Sequence, residues 1–109
     1  MAKIESSVVI DAPSDRVWEI ISDIDNEPKF WKGTKAVRNI TVKNDTIERE
    51  ITIAFRDQKC LQTVRLFPKE RVEAVFTKGI IDGSKSITLT PKDGKTNLDV
   101  MWDIKMTGI

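Results

Sequence analysis

The most constraining feature of this chain is a series of alternating apolar and polar residues, divided by short turns, that runs from about Thr34 onward. Alternation with a period of two predicts β-strands with one apolar face. Because the turns are too short for a crossover connection, successive strands must pair antiparallel, as a meander. The most regular segment is TNLDVMWDIKM, whose apolar positions are Leu98, Val100, Trp102, Ile104 and Met106.

Six strands are expected after Thr34. They are AVRNITV, TIEREITIAF, KCLQTVRLF, RVEAVF, SKSITLT and TNLDVMWDIKM. Asn44-Asp45 and PKDGK favour hairpin turns, and GIIDGS is interpreted as a connector with a glycine at each end. Such a sheet twists and curls, with one apolar face and one wetted face.

The N-terminal part combines one strand with two helices. A strand from about Lys3 to Asp11 ends at Ala12-Pro13. NEPKFWKG predicts a second short helix that begins near Pro28 and ends at Gly33. The fold class is therefore α+β, a six- or seven-stranded antiparallel sheet with two short helices between strands 1 and 2. The first helix is predicted from the apolar face formed by Val17, Ile20, Ile21 and Ile24.

Composition narrows the classes of function. The 109 residues are 39% hydrophobic and 32% charged, which indicates a single globular domain over residues 1–109. A net charge of +1 gives no electrostatic reason to expect nucleic acid as a partner. The longest apolar runs fall well short of about 18 residues, so no integral membrane association is predicted. The N-terminus, MAKIESS, has no apolar signal core, and the expected location is cytoplasmic.

The residue types present exclude several kinds of chemistry. The chain has no histidine, which excludes His-based acid–base catalysis, Ser-His-Asp triads and ordinary zinc sites. Cys60 is the single cysteine, so no intrachain disulfide can form. The acidic run Asp23, Asp25, Glu27 lacks the glycine and glutamate that an EF-hand requires, and these acids are expected to solvate the connection between the helices. No metal and no cofactor are predicted.

Two segments of the sequence are similar to a known superfamily. SSVVIDAPSDRVWEIISDIDNEPKFW resembles the opening of the START/Bet v 1-like superfamily, also called SRPBCC or polyketide cyclase/dehydrase-like proteins. ITLTPKDGKTNLDVMWDIKM resembles its later strand–turn–strand pattern. The resemblance rests on Ile10, Ala12-Pro13, Val17-Trp18, Asp23, Pro28, Trp31, Leu89, Pro91, Gly94 and Thr96.

The resemblance implies a helix-grip fold, in which a curled seven-stranded sheet surrounds a long C-terminal helix with an apolar cavity between them. It also implies a ligand class of lipids, sterols, quinones, polyketides or other hydrophobic molecules. This sequence ends at KMTGI, so we expect a domain that is C-terminally truncated relative to the family, without the long helix and with an open concave face. An open apolar face favours self-association or a bound apolar molecule over Ile51, Ile53, Val100 and Trp102.

The candidate site is the inward apolar face, with Phe30 and Trp31 near its entrance, although alternation alone fits an ordinary core as well. The predicted ligand-binding residues are Phe30, Trp31, Ile40, Arg49, Ile51, Ile53, Phe55, Gln62, Val64, Phe76, Ile87, Leu89, Val100, Trp102 and Ile104.

Three polar residues share the parity of apolar neighbours: Arg38, Arg49 and Gln62. An inward Arg49 requires a ligand anion, a carbonyl or a carboxylate as its partner, because an unpaired buried guanidinium is very costly. The alternatives are a β-bulge, or an arginine that reaches outward at the rim with its stem on apolar surface.

Three functions follow from these observations. The leading hypothesis is a carrier that sequesters a small hydrophobic ligand. The second is a polyketide cyclase or dehydratase, in which carboxylates, arginine, lysine or water would have to move protons because histidine and tyrosine are missing. The third is a protein-interaction module whose open sheet accepts a helix from a partner.

Overall fold

The computed structural model describes residues 2–30 and 33–106 and contains one seven-stranded antiparallel sheet in the order β1-β7-β6-β5-β4-β3-β2. Two short helices separate β1 from β2, as predicted. Short 3-10 helices lie at Ile24–Asn26 and Phe55–Asp57, and the described residues contain no long helix after the sheet. The main elements are β1 (Ala2–Ile10), α1 (Ser14–Ile21), α2 (Glu27–Phe30), β2 (Thr34–Lys43), β3 (Thr46–Ile53), β4 (Lys59–Phe67), β5 (Arg71–Lys78), β6 (Ile81–Lys92) and β7 (Lys95–Met106).

Two predicted hairpin turns are confirmed. Asn44-Asp45 joins β2 to β3, and Asp93-Gly94 joins β6 to β7. Asn44, Asp93 and Gly94 all have positive φ, between 50° and 77°. Asparagine, aspartate and glycine adopt this left-handed conformation most readily, which is why these residues specify tight hairpins.

The predicted connector GIIDGS is shorter than expected. Ile81 already belongs to β6, so Gly83 lies inside a strand, paired with Ile104. Gly83 has a φ of +121°, and a Cβ atom there would collide with the carbonyl oxygen of Asp103. Glycine at this position therefore permits a close approach of β6 to β7, which a larger residue would prevent.

The predicted inward placement of Arg38 and Ile40 is wrong. The register between β2 and β3 shifts between Asn39 and Thr41, which is the mark of a β-bulge. Arg38 pairs with Glu50 on the outer face, and their side chains form an ion pair at 3.6 Å. Ile40 falls at the bulge itself and is 51% exposed. One extra residue in a strand reverses the faces of the residues beyond it, so parity counted along the sequence fails there.

The concave face of the sheet holds the apolar core. One cluster contains Ile51, Ile53, Cys60, Phe76 and Ile81, and a second contains Ile47, Val64, Val72 and Ala74. The N-terminal helical segment packs on the second cluster through Trp18, Ile21 and Ile24. That contact buries one face of α1. It leaves the end of the sheet's concave face near β1 uncovered.

The uncovered part of the concave face lies at β1 and β7. Ile4 pairs with Trp102 and Val8 pairs with Leu98, which places these four side chains on one face. Ile4 is nevertheless 58% exposed, and Val8 is also exposed. The predicted open concave face is therefore present in the described part of the chain.

The start of α1 is tied to the last strand. The Thr96 hydroxyl is fully buried and donates a hydrogen bond of 2.8 Å to the carbonyl of Ala12. Ser14 Oγ lies 3.1 Å from the same hydroxyl.

Neither helix in the described residues is long and apolar enough to cross a bilayer.

Candidate functional site

Two cavities lie on the concave face of the sheet. The first, the α1 cavity, has a volume of about 210 Å³ and lies between the N-terminal helical segment and the sheet. Its apolar wall includes Ile21, Ile24, Val64, Val72, Ile87 and Val100. The second, the distal cavity, has a volume of about 370 Å³, and its wall includes Ile51, Ile53, Phe55, Phe76, Ile81 and Trp102. Pockets with mainly apolar walls and a few polar groups are typical sites for small molecules.

Most of the predicted ligand-binding residues line one of these two cavities. Arg49, Val64, Ile87 and Val100 line the α1 cavity. The distal cavity is lined by Ile51, Ile53, Phe55, Gln62, Phe76 and Trp102. Alternation along β3, β4 and β7 was therefore a sound guide to which side chains meet on the concave face.

Three predicted residues lie outside these two cavities, and two more are not described. Leu89 is buried and Ile104 packs against the cluster that contains Ile51, but neither lines these two cavities. Ile40 faces solvent at the bulge in β2. Trp31 and the side chain of Phe30 lie outside the described residues, so their predicted place at the entrance stays a prediction.

Arg49 points inward and is 1% exposed, and it is held by three partners within the chain. Its Nη2 donates to Oε1 of Glu27 at 2.7 Å, and its Nη1 donates to the carbonyl of Ile24 at 2.9 Å. Its Nε donates to Oε1 of Gln62, its cross-strand neighbour, at 2.8 Å. Of the partners considered from the sequence, a carboxylate and a carbonyl are therefore supplied by the protein itself.

Glu27 is the carboxylate at the centre of this cluster, and it lines both cavities. Besides Arg49, it accepts hydrogen bonds from Thr34 Oγ1 at 2.7 Å and from Lys85 Nζ at 3.4 Å. Burial acts to raise the pKa of the Glu27 carboxyl, but the charges of Lys85 and Arg49 and the hydrogen bonds from Thr34 and Arg49 outweigh it. The pKa of Glu27 is therefore lowered below its ordinary value of 4.5, and the group is a carboxylate at neutral pH.

Lys85 is the second cation that lines both cavities. Its side chain is 8% exposed, and its Nζ lies 5.0 Å from the ring centre of Trp102, its cross-strand neighbour. Burial lowers the pKa of the Lys85 ammonium below its ordinary value of 10.5; the charge of Glu27 opposes this shift and the charge of Arg49 adds to it. The cluster thus holds an ammonium that the interior of the protein disfavours.

The expectation that the acidic run solvates the helix connection is wrong for Glu27. Asp23 and Asp25 are exposed, and their carboxylates accept hydrogen bonds from Asn26 and Asn39. Glu27, in contrast, is the first residue of α2 and points into the sheet. The sequence offered no signal for this, because three acids at alternate positions look alike without the tertiary fold.

Lys85 could have been found from the sequence. It has the same parity as Ile87 and Leu89 in β6, the rule that correctly placed Arg49 in β3. Parity was used to select Arg38, Arg49 and Gln62 as polar residues of this face, and the lysine in β6 was not considered.

One polar atom of the cluster has no hydrogen-bond partner among the described residues. Gln62 is 1% exposed, and its amide nitrogen Nε2 is buried without an acceptor. The amide orientation is fixed by Arg49, since Nε of that residue is a donor and needs the oxygen of Gln62 opposite it. The orphaned nitrogen belongs to a residue that lines the distal cavity.

Comparison with known proteins agrees with this architecture. The family model of polyketide cyclase / dehydrase and lipid transport proteins matches residues 1–108. No curated protein matches the chain in sequence.

Solved structures with the same fold include the Zhui aromatase/cyclase from Streptomyces sp. R1128, with a TM-score of 0.85 and 17% identity, covering 99% of this chain and 70% of that one. A START superfamily protein from Mycobacterium smegmatis has a TM-score of 0.77 and 16% identity, covering 97% of this chain and 78% of that one. Ara h 8.0201 has a TM-score of 0.70 and 13% identity, covering 98% of this chain and 78% of that one.

The family match over nearly all of the sequence and the likeness in fold agree with the seven-stranded sheet and its two short helices. The chain belongs to the family of polyketide cyclase / dehydrase and lipid transport proteins.

Proposed function

We propose that this protein binds a small hydrophobic molecule in the cavities on the concave face of its sheet and carries it without covalent change. The observation that carries the proposal is the distal cavity, whose volume of about 370 Å³ falls within the roughly 300–1,000 Å³ typical of small-molecule sites. Membership of a family that includes lipid transport proteins supports the same ligand class.

Affinity in such a site comes from burial of apolar surface, at about 25 cal/mol per Å² removed from water. The walls of the distal cavity are mainly aliphatic and aromatic side chains, among them Ile53, Phe76 and Trp102. The polar residues Glu27, Gln62 and Lys85 are gathered on one side, where they can orient a ligand. The mechanism is therefore equilibrium sequestration.

A neutral fluorescent probe, N-phenyl-1-naphthylamine, tests the proposal. Its emission rises in apolar surroundings, so titration reports binding without any electrostatic attraction. Phe55 lines the distal cavity and is 47% exposed, so Phe55→Ser removes part of the cavity wall with little effect on folding. We expect binding to weaken about tenfold, the equivalent of roughly 1.4 kcal/mol of lost apolar contact.

Val75→Ser is the matched control for this experiment. Val75 is also 47% exposed and apolar, but it lines neither the α1 cavity nor the distal cavity. V75S should bind the probe as the unaltered protein does. The proposal is wrong if the unaltered protein does not bind the probe saturably, or if F55S and V75S weaken binding equally.

A further inference from the structure

We propose that Gln62 determines the specificity of the distal cavity: its side-chain amide donates a hydrogen bond to a neutral carbonyl oxygen on an otherwise apolar ligand. This inference rests on the proposed function and adds to it the polar group that the ligand carries. It follows from the burial of Gln62, from the contact that fixes the orientation of its amide, and from the cavity that it lines.

The amide nitrogen of Gln62 is a buried donor without an acceptor. The residue is 1% exposed, and its Nε2 has no hydrogen-bond partner within residues 2–30 and 33–106. An unsatisfied polar group in the interior destabilises a folded protein, and most buried polar groups have a partner. A donor kept in this state points to an acceptor on a bound molecule.

A contact with Arg49 prevents the amide of Gln62 from turning over. Nε of Arg49 donates to Oε1 of Gln62 at 2.8 Å. If the amide were turned by half a rotation, its nitrogen would face that donor, and two N–H groups cannot satisfy each other. Further hydrogen bonds to the carbonyl of Ile24 and to Glu27 hold the guanidinium in place. Gln62 therefore presents a fixed donor, whereas a free amide could offer either its oxygen or its nitrogen.

The two residues of this contact face different cavities. Arg49 lines the α1 cavity but not the distal one, and Gln62 lines the distal cavity but not the α1 cavity. Because Arg49 takes the oxygen of the amide, the nitrogen is the polar atom of Gln62 that is left for a ligand in the distal cavity. Such a ligand must offer an acceptor.

The wall around Gln62 defines the rest of the ligand. Gln62 pairs with Phe76 across β4 and β5, and both residues line the distal cavity together with several isoleucines. The polar side chains Glu27, Thr34 and Lys85 also line it, but they bond to one another. A neutral carbonyl satisfies the amide without bringing a further charge out of water. Apolar ketones and esters share this chemistry, and a hydrocarbon would leave the nitrogen unsatisfied.

Two naphthalenes of the same shape test the inference. They are 2-acetylnaphthalene and 2-isopropenylnaphthalene, in which a methylene group replaces the carbonyl oxygen. Equilibrium dialysis at pH 7 gives both dissociation constants, and their ratio measures the contribution of the oxygen. Gln62→Glu keeps an oxygen for Arg49 but replaces the donor by a second acceptor, because the nearby guanidinium favours the charged form of a carboxylate. We expect Q62E to shift the ratio against the ketone by about tenfold or more.

Gln58→Glu is the matched control, because it makes the same change of charge at a residue that lines neither cavity. Its ratio should equal that of the unaltered protein. Gln62→Met is a second variant, which removes the donor without adding a charge and should also shift the ratio against the ketone. Each ratio is taken within one variant, so a loss of folded protein affects both ligands alike.

The carbonyl stretching frequency of the bound ketone, isotopically labelled at the carbonyl carbon, gives a readout that needs no variant. A hydrogen bond lowers this frequency below its value in hexane, and Q62E should remove the shift.

A frequency equal to that in hexane, or the same ratio in Q62E as in the unaltered protein, would overturn the inference and leave the proposed function standing. An equal change of the ratio in Q58E and Q62E would overturn the assignment to Gln62. Failure of both naphthalenes and of the neutral fluorescent probe to bind would overturn the proposed function as well.

Discussion

Replacing Glu27 by glutamine should destabilise the protein far more than an ordinary glutamate substitution. The side chain is 7% exposed and accepts hydrogen bonds from three residues. Glutamine keeps the size and one carbonyl oxygen, so the main change is the loss of a charge. E27Q leaves the cations Arg49 and Lys85 buried together without a carboxylate between them.

Removing one partner of a buried ion pair typically costs about 3–5 kcal/mol, and here two cations lose the same partner. This is a large part of the roughly 5–15 kcal/mol by which domains are usually stable. With a urea dependence of about 2 kcal/mol per molar, the unfolding midpoint should fall by about 2 M. Tryptophan fluorescence can follow unfolding, because Trp102 lies beside Lys85 in the cluster.

A double-mutant cycle separates the charge from the shape of the side chain. Lys85→Met leaves the pair of Glu27 and Arg49 balanced, so K85M should unfold within about 1 kcal/mol of the unaltered protein or be more stable. Adding K85M to E27Q removes one of two like charges and should restore at least about 1 kcal/mol. Glu48→Gln, on an exposed residue beside Arg49 in β3, should change stability by less than about 0.5 kcal/mol. The reasoning fails if E27Q behaves like E48Q, or if the double variant is less stable than E27Q.

Two more predictions concern stability. The pKa of Glu27 is lowered in the folded state, so its contribution to the free energy of unfolding is present above pH 4.5 and is lost as the pH falls through the folded-state pKa. The pKa of Lys85 is also lowered in the folded state, so the free energy of unfolding should rise with pH between that pKa and 10.5. In urea titrations at several pH values, the loss of stability at low pH should be missing in E27Q, and the rise at high pH should be missing in K85M. Unchanged pH profiles in these variants would contradict the assignment. Gly83→Ala should cost about 2 kcal/mol or more by thermal or urea unfolding, because of its positive φ and its contact with β7. Gly33→Ala, which meets no atom within 4 Å, should change stability by less than about 0.5 kcal/mol, and equal losses for the two would be inconsistent with the close approach at Gly83.

The strands and their faces were largely predictable from the sequence, because the period of two is a local property. In β3, the inward positions Ile47, Arg49, Ile51 and Ile53 are all buried, as their parity predicted. In β2, the same rule fails at Ile40, because a bulge is set by the pairing of two strands and leaves no local mark in the sequence. The rule is therefore reliable within a regular strand and fails after an irregularity.

The polar centre of the site was only partly predictable. Arg49 and Gln62 were identified by parity, and Lys85 could have been identified in the same way. Glu27 could not, since its role depends on where the short helix α2 lies against the sheet. A helix of one turn has too few residues for its buried face to be read from periodicity.

The pairing of β1 with β7 has a consequence for how the chain folds. Ala2 pairs with Ile104, so the first strand finds its neighbour only after about a hundred further residues have been synthesised. The hairpins from β2 to β7 join strands that are adjacent in sequence, and their closure costs little loop entropy. Attachment of β1 is the step with the greatest sequence separation and should come last and slowly, in keeping with the slow folding of topologies rich in distant contacts. Until then, Ile4 and Val8 have no strand beside them, and the nascent protein depends on the inner strands for its first stable structure.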